Sequence, residues 1–166
     1  MGSLDRDEVR ANVRQKFLEI GLSAVGATIG IALTLWIVAD QRSPFLLASL
    51  GGSTVFLFAL PETEAAQPRA LFGGHIGGAL IGIFCSKMFG DALWVSVAAV
   101  VLTMVFMVVT RTIHPPAGAN PLLMVHNHAG LTVLLKPVGA GVLALFLVAL
   151  VWSRVRPGRK YPIKWW

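Results

Sequence analysis

Apolar residues fall in long runs separated by short polar breaks, without the scattered helical or strand period of a soluble domain. Phe17 to Ala39, Ala70 to Phe89, Ala92 to Thr110 and Gly130 to Trp152 are each long enough, at ~1.5 Å per residue, to cross a hydrocarbon core of roughly 30 Å. Two further runs are shorter. Phe45 to Leu60 would span about 24 Å; Ser43-Pro44 opens it as N-cap and first helical position, and Gly51-Gly52-Ser53-Thr54 interrupts it. Pro115 to Val125 is shorter still and carries Pro121. The pattern predicts an all-α membrane protein with four transmembrane helices and two short, interrupted or re-entrant helices.

The order of segments repeats. Residues 17–89 and 91–153 both read as long helix, short segment, polar loop, glycine-bearing helix. A shift of 66 places Gly52 on Gly118, Thr54 on Asn120 and Gly73 on Gly139. Two re-entrant short segments would leave four crossings and parallel halves; two crossing segments would give six and inverted halves. The brevity of 115–125 favours four, an arrangement that puts Arg42, Arg69, Arg111 and Lys136 together on the outer side. Gly21, Gly26 and Gly30, and more strongly Gly73, Gly74, Gly77, Gly78 and Gly82, have the spacing that lets helix backbones approach closely. Residues 1–16 read as a short interfacial helix. Residues 154–166 read as a basic tail that Tyr161, Trp165 and Trp166 anchor at the interface.

Composition agrees. The 166 residues are 55% hydrophobic and 13% charged, with a mean hydropathy of +0.72; a soluble domain carries about twice that charge fraction. The net charge of +6 comes largely from both ends, Arg6, Arg10, Arg14 and Lys16 first, Arg154, Arg156, Arg159, Lys160 and Lys164 last. Such flanks set membrane orientation, not nucleic-acid binding, and place both termini in the cytoplasm. Neither a cleavable signal nor a transit peptide fits the N-terminus, so a bacterial inner membrane is the expected address. The single Cys85 excludes an internal disulfide. His126 and His128 lack further ligands for a metal. With no nucleophile elbow, phosphate loop or paired carboxylates, neither an enzyme nor a cofactor is expected.

Candidate chemistry centres on Arg111-Thr112-Ile113-His114-Pro115-Pro116-Ala117-Gly118-Ala119-Asn120-Pro121. Irregular backbone at membrane depth is tolerated only inside protein or along a wet cavity. Pro115 and Pro116 would start a helix whose amides at Ala117, Gly118 and Ala119 face a cavity and favour an anion. Gly52, Ser53 and Thr54 would supply a second set of donors. His114 either donates to the anion, carries a proton with it, or only caps a helix. His75 tunes charge or simply packs inside, and Arg111 attracts anions or snorkels to headgroups. The bland alternative is that these prolines and glycines only bend helices for packing.

His114-Pro115-Pro116-Ala117-Gly118-Ala119, with the Gly51-Gly52-Ser53-Thr54 element and the segment order, resembles the HPP family of small integral membrane proteins. The resemblance covers nearly the whole chain. It implies membrane transport, with nitrite the solute associated with plastid and cyanobacterial members. Asn120-Pro121 stands where smaller residues are expected in that branch. The expectation is a transporter or channel for a small inorganic anion, built as a homo-oligomer, with a dimer favoured. Its substrate-binding residues would be Gly52, Ser53, Thr54, His114, Ala117, Gly118, Ala119 and Asn120. The rival is a non-transporting assembly or sensor module.

Overall fold

A computed structural model describes residues 6–38, 43–156 and 160–165. Four helices are long and apolar enough to cross a membrane: α1 (Arg6–Ile37), α3 (Pro68–Phe89), α4 (Leu93–Thr110) and α6 (Leu131–Val155). Two shorter helices accompany them, α2 (Pro44–Ala59) and α5 (Asn120–His126), the latter entered through a 3-10 turn at Pro115–Ala119. The all-α membrane architecture is therefore as the hydropathy pattern indicates. The expected interfacial helix at 1–16 is not separate: from Arg6 onward it continues without a break into α1. Residues 1–5 and the Asp40-Gln41-Arg42 link lie outside the described residues.

Contacts fix the direction of every helix. At one end Arg156 donates to Ser23 Oγ (2.9 Å) and the Glu19 carbonyl (3.0 Å), tying the end of α6 to the N-terminal part of α1. At the same end Tyr161 donates to the Ala66 carbonyl (2.7 Å) of the α2–α3 loop, and Arg69 donates to the Thr110 carbonyl (2.7 Å) at the end of α4. This is the tail end. At the far end the Phe45 and His126 rings lie 5.5 Å apart, and His128 pairs with Asp91 of the α3–α4 turn at 3.2 Å. Hence α1 runs from tail end to far end, α2 returns, and α3 goes out again. In the second half α4, the Pro115–His126 segment and α6 run in the opposite senses.

The halves are thus inverted, the alternative that the sequence left open. Neither short segment turns back to the end it came from, and the placement of all four cations on one side is corrected. Arg69 and Arg111 lie at the tail end. Lys136 is beside Ile37 and Val38 at the far end, and Arg42 is outside the described residues. The Pro115–His126 segment can be short because its entry is already inside the bundle: Thr112 and His114 are both buried.

Gly51 to Thr54 do not interrupt α2, which is a continuous helix of 16 residues. The α3 glycines make the seam expected of them. A Cβ on Gly82 would meet Pro121 Cα at 2.6 Å and Met124 Cβ at 2.8 Å; one on Gly78 would meet the Ala117 carbonyl at 3.1 Å. That close approach brings the Pro115–His126 segment alongside α3. In α6, Pro137 sits in a π-helical stretch, Leu134–Gly139, because its ring and missing N–H cannot continue a regular ladder.

Candidate functional site

Where α2, α3 and the Pro115–His126 segment cross, five polar side chains meet: Ser49, Ser53, His75, His114 and Asn120. Each is 0–1% exposed. A buried polar group without a partner is costly, so such a cluster persists only if satisfied. It is. Asn120 Nδ2 donates to the His75 carbonyl (3.0 Å) and to His75 Nδ1 (2.8 Å), and Asn120 Oδ1 accepts from Ser49 Oγ (2.9 Å). Ser53 Oγ lies 3.0 Å from His75 Nε2, 2.9 Å from His114 Nε2 and 2.9 Å from the Ser49 carbonyl. His114 Nδ1 is 2.6 Å from the Ala65 carbonyl, and Phe56 sits against the His114 ring with centroids 5.6 Å apart.

These partners assign the tautomers. A carbonyl only accepts, so the His75 carbonyl fixes which Asn120 atom is nitrogen, and that nitrogen needs an acceptor at His75 Nδ1. His75 therefore carries its proton on Nε2 and donates to Ser53. The Ala65 carbonyl likewise requires a proton on His114 Nδ1, which leaves His114 Nε2 as an acceptor. The two rings, 5.1 Å apart, are bridged through one hydroxyl.

Of the residues expected to bind, Ser53, His114 and Asn120 are in this cluster, together with His75, expected only to tune charge. The others are not. Thr54 bonds back to the Leu50 carbonyl (2.9 Å), and Gly52 packs against Pro116. The expected anion cradle of bare amides is corrected. Amides 51–54 lie inside α2, turned to carbonyls four residues back. The Ala117 amide donates to the His114 carbonyl (3.0 Å), the Asn120 amide to the Ala117 carbonyl, and Ala117 itself is buried. Gly118 and Ala119 are half-exposed, and a Cβ on Gly118 would meet nothing within 4 Å. Pro115 is exposed on the same turn. The donors of the site are side chains, and the carbonyls of Ser49, Ala65 and His75 are among its acceptors.

Sequence reasoning missed Ser49 and the Ala65 carbonyl. Ser49 was legible, being one helical turn before Ser53 on the same face. The Ala65 carbonyl was not, because a loop carbonyl leaves no mark on composition.

The loop that carries Ala65 is clamped by the tail. Gln67 Nε2 donates to the Pro61 (2.8 Å) and Thr63 (2.9 Å) carbonyls, while Gln67 Oε1 accepts from the Ile163 amide (2.9 Å). Lys164 pairs with Glu64. Tyr161 is buried and bonded to the protein, and burial pushes its phenol pKa upward. It is not the lipid anchor expected of it. Trp165 rests against Phe146 (5.9 Å), and Trp166 is outside the described residues. Beside the clamp lies a hollow of about 250 Å³ lined by Glu64, Gln67, Arg69, Arg111, Lys164 and Trp165. Arg111 ends α4 in the left-handed conformation and is exposed there. Among the described residues no group of three or more potential metal ligands occurs.

An inverted pair of helical halves with a polar cluster at the crossing of two short segments defines a multi-pass integral membrane protein. The transmembrane region of the HPP family matches residues 12–162, and the chain belongs to that family. Two transmembrane proteins of Dictyostelium discoideum are similar to it. One is 34% identical over 169 residues, covering 95% of this chain and 54% of the relative. The other is 31% identical over 163 residues, covering 89% and 56%. The chain therefore spans about half the length of these curated relatives. No solved structure matches.

Proposed function

We propose that the chain is a membrane transport protein for a small inorganic anion, nitrite or a relative of it, with no chemical step. The observation that carries this reading is the closed cluster of Ser49, Ser53, His75, His114 and Asn120 at the crossing of two short segments from inverted halves. Transporters built from inverted repeats bind solute at such a crossing. Ionisable residues buried within a membrane bundle mark solute or proton paths. The hollow lined by Arg69, Arg111 and Lys164 would gather anions at the tail end. The shielded cluster corresponds to an occluded state, and solute would replace bonds that the side chains now make to one another. Cationic flanks favour a bacterial inner membrane with the tail end cytoplasmic. On α2 Ala48 is exposed and Gly51 half-exposed, a small-residue face that suits a homodimer contact.

One observation favours the rival, a non-transporting module: the cluster satisfies itself and needs no ligand. Nitrite uptake into proteoliposomes separates the two. Transport predicts uptake above empty vesicles and its loss in His114→Gln. Uptake equal to empty vesicles at every nitrite gradient would leave the module.

A further inference from the structure

The hub of the cluster has one hydroxyl proton and two acceptors. Ser53 Oγ receives the His75 Nε2–H, and its own proton faces either His114 Nε2 or the Ser49 carbonyl, both 2.9 Å away. Two complete bonding patterns follow on the same heavy atoms. In the first, the Ser53 hydroxyl donates to a neutral His114. In the second, His114 carries a proton on Nε2 and donates it to Ser53, whose hydroxyl turns to the Ser49 carbonyl and whose two lone pairs serve the two rings.

From this geometry we infer that the cluster is a binding site for a single proton, taken at His114 Nε2 and accommodated by rotation of the Ser53 hydroxyl. The choice of ring is set by the surroundings. His75 Nδ1 is occupied by the Asn120 amide, which only donates, so His75 has no free nitrogen. His114 Nδ1 already gives its proton to the Ala65 carbonyl, so Nε2 is the open position. The proton comes from hydronium: its O–H bond breaks as the His114 Nε2–H bond forms, and water is left.

Few charged groups face this proton. From α2 the cluster sees Ser49, Ser53 and Phe56; from α3 it sees His75; from the turn at Glu64–Ala66 it sees only the Ala65 carbonyl; from α5 it sees Asn120. Glu64 on that turn is exposed and paired with Lys164, and Arg69 is turned to Thr110. Among the described residues the ring is bonded to Ser53 and the Ala65 carbonyl and to no carboxylate, and a lone charge in this setting is costly. A small anion would balance it. Resting on the transport reading, the inference makes the cargo one anion together with one proton, moved without net charge.

Two measurements test this separately. The first needs no transport: ¹⁵N NMR of histidine-labelled protein in bilayers, in a His126→Gln, His128→Gln background that removes the two exposed rings. Neutral protein should show one ring protonated on Nδ1 and the other on Nε2. Acidification with nitrite present should convert only the Nδ1–H ring to the doubly protonated form. Asn120→Leu should leave His75 Nδ1 facing only the Ser49 hydroxyl, which can accept as well as donate, and so let the second ring take up a proton, whereas Ser53→Ala should abolish the single-proton step. Two rings of one tautomer, or His75 loading first in the parent protein, would overturn the inference. The second measurement is nitrite uptake with an internal pH dye. One proton per anion, unaffected by an imposed membrane potential, is expected; uptake that follows the potential would overturn the coupling. Absence of uptake with the NMR pattern intact would remove the transport reading and leave the proton site standing.

Discussion

Asn120→Leu is the substitution whose cost the structure specifies best. Leucine keeps the shape and removes the amide. Three bonds go: Ser49 Oγ to Oδ1 (2.9 Å), Nδ2 to His75 Nδ1 (2.8 Å), and Nδ2 to the His75 carbonyl (3.0 Å). Side-chain bonds between membrane helices average ~0.6 kcal/mol and reach ~1.7, because the unfolded chain in lipid also finds partners. Three of them amount to about 2 kcal/mol. A partial rescue is built in, since Ser49 Oγ already lies 3.4 Å from His75 Nδ1 and can turn to it. The expected loss is therefore ~1–2 kcal/mol. Reversible unfolding in mixed micelles measures it, with the exposed Asn127→Leu as control, expected within ~0.5 kcal/mol of the parent. Equal stability of the two variants would refute the claim that Asn120 holds the cluster together.

Further outcomes follow from other contacts. Gly82→Ala, whose Cβ would strike Pro121 backbone, should cost ~1–3 kcal/mol, whereas Gly51→Ala, with open space, should be neutral or gain up to ~1 kcal/mol; thermal unfolding of both decides, and equal effects would dissolve the α3–α5 seam. Tyr161→Phe strands the Ala66 carbonyl and should cost about 1 kcal/mol in the same assay, while a lipid anchor would lose nothing. Lys164 beside Glu64 holds that carboxyl below its usual 4.5. The folded-state value is depressed, so the pair supports the tail above the unfolded value and is lost as pH falls through the folded one. The fluorescence change that acid causes at Trp165 should vanish in Lys164→Gln; an identical change in both would place its origin elsewhere.

The sequence and the structure part company for physical reasons. Hydropathy located all six apolar segments, because lipid demands apolar length and little else. The α3 glycines announced a close contact, and their partner proved to be Pro121 and Met124. Direction stayed open, with four crossings favoured, because length alone was weighed: the segment from Pro115 looked too short to traverse, yet His114 enters it already buried. The amide cradle failed for a related reason. Pro115-Pro116 begin a 3-10 turn that bonds its own Ala117 and Asn120 amides, so the prolines shape the path of the chain and the polar cluster is built from side chains. His75, alone among glycines on α3, was legible as an oddity, but its pairing with Asn120 needed the fold.

Transport through the cluster requires that it open to water on both sides during turnover. Asn120→Cys in a Cys85→Ala background, exposed to a membrane-impermeant thiol reagent from each face in turn, measures that directly. Transport predicts modification from either side, at rates that nitrite changes in opposite directions. Protection from both sides, while a cysteine at Arg111 reacts promptly, would contradict it and mark the five side chains as a permanent internal strut.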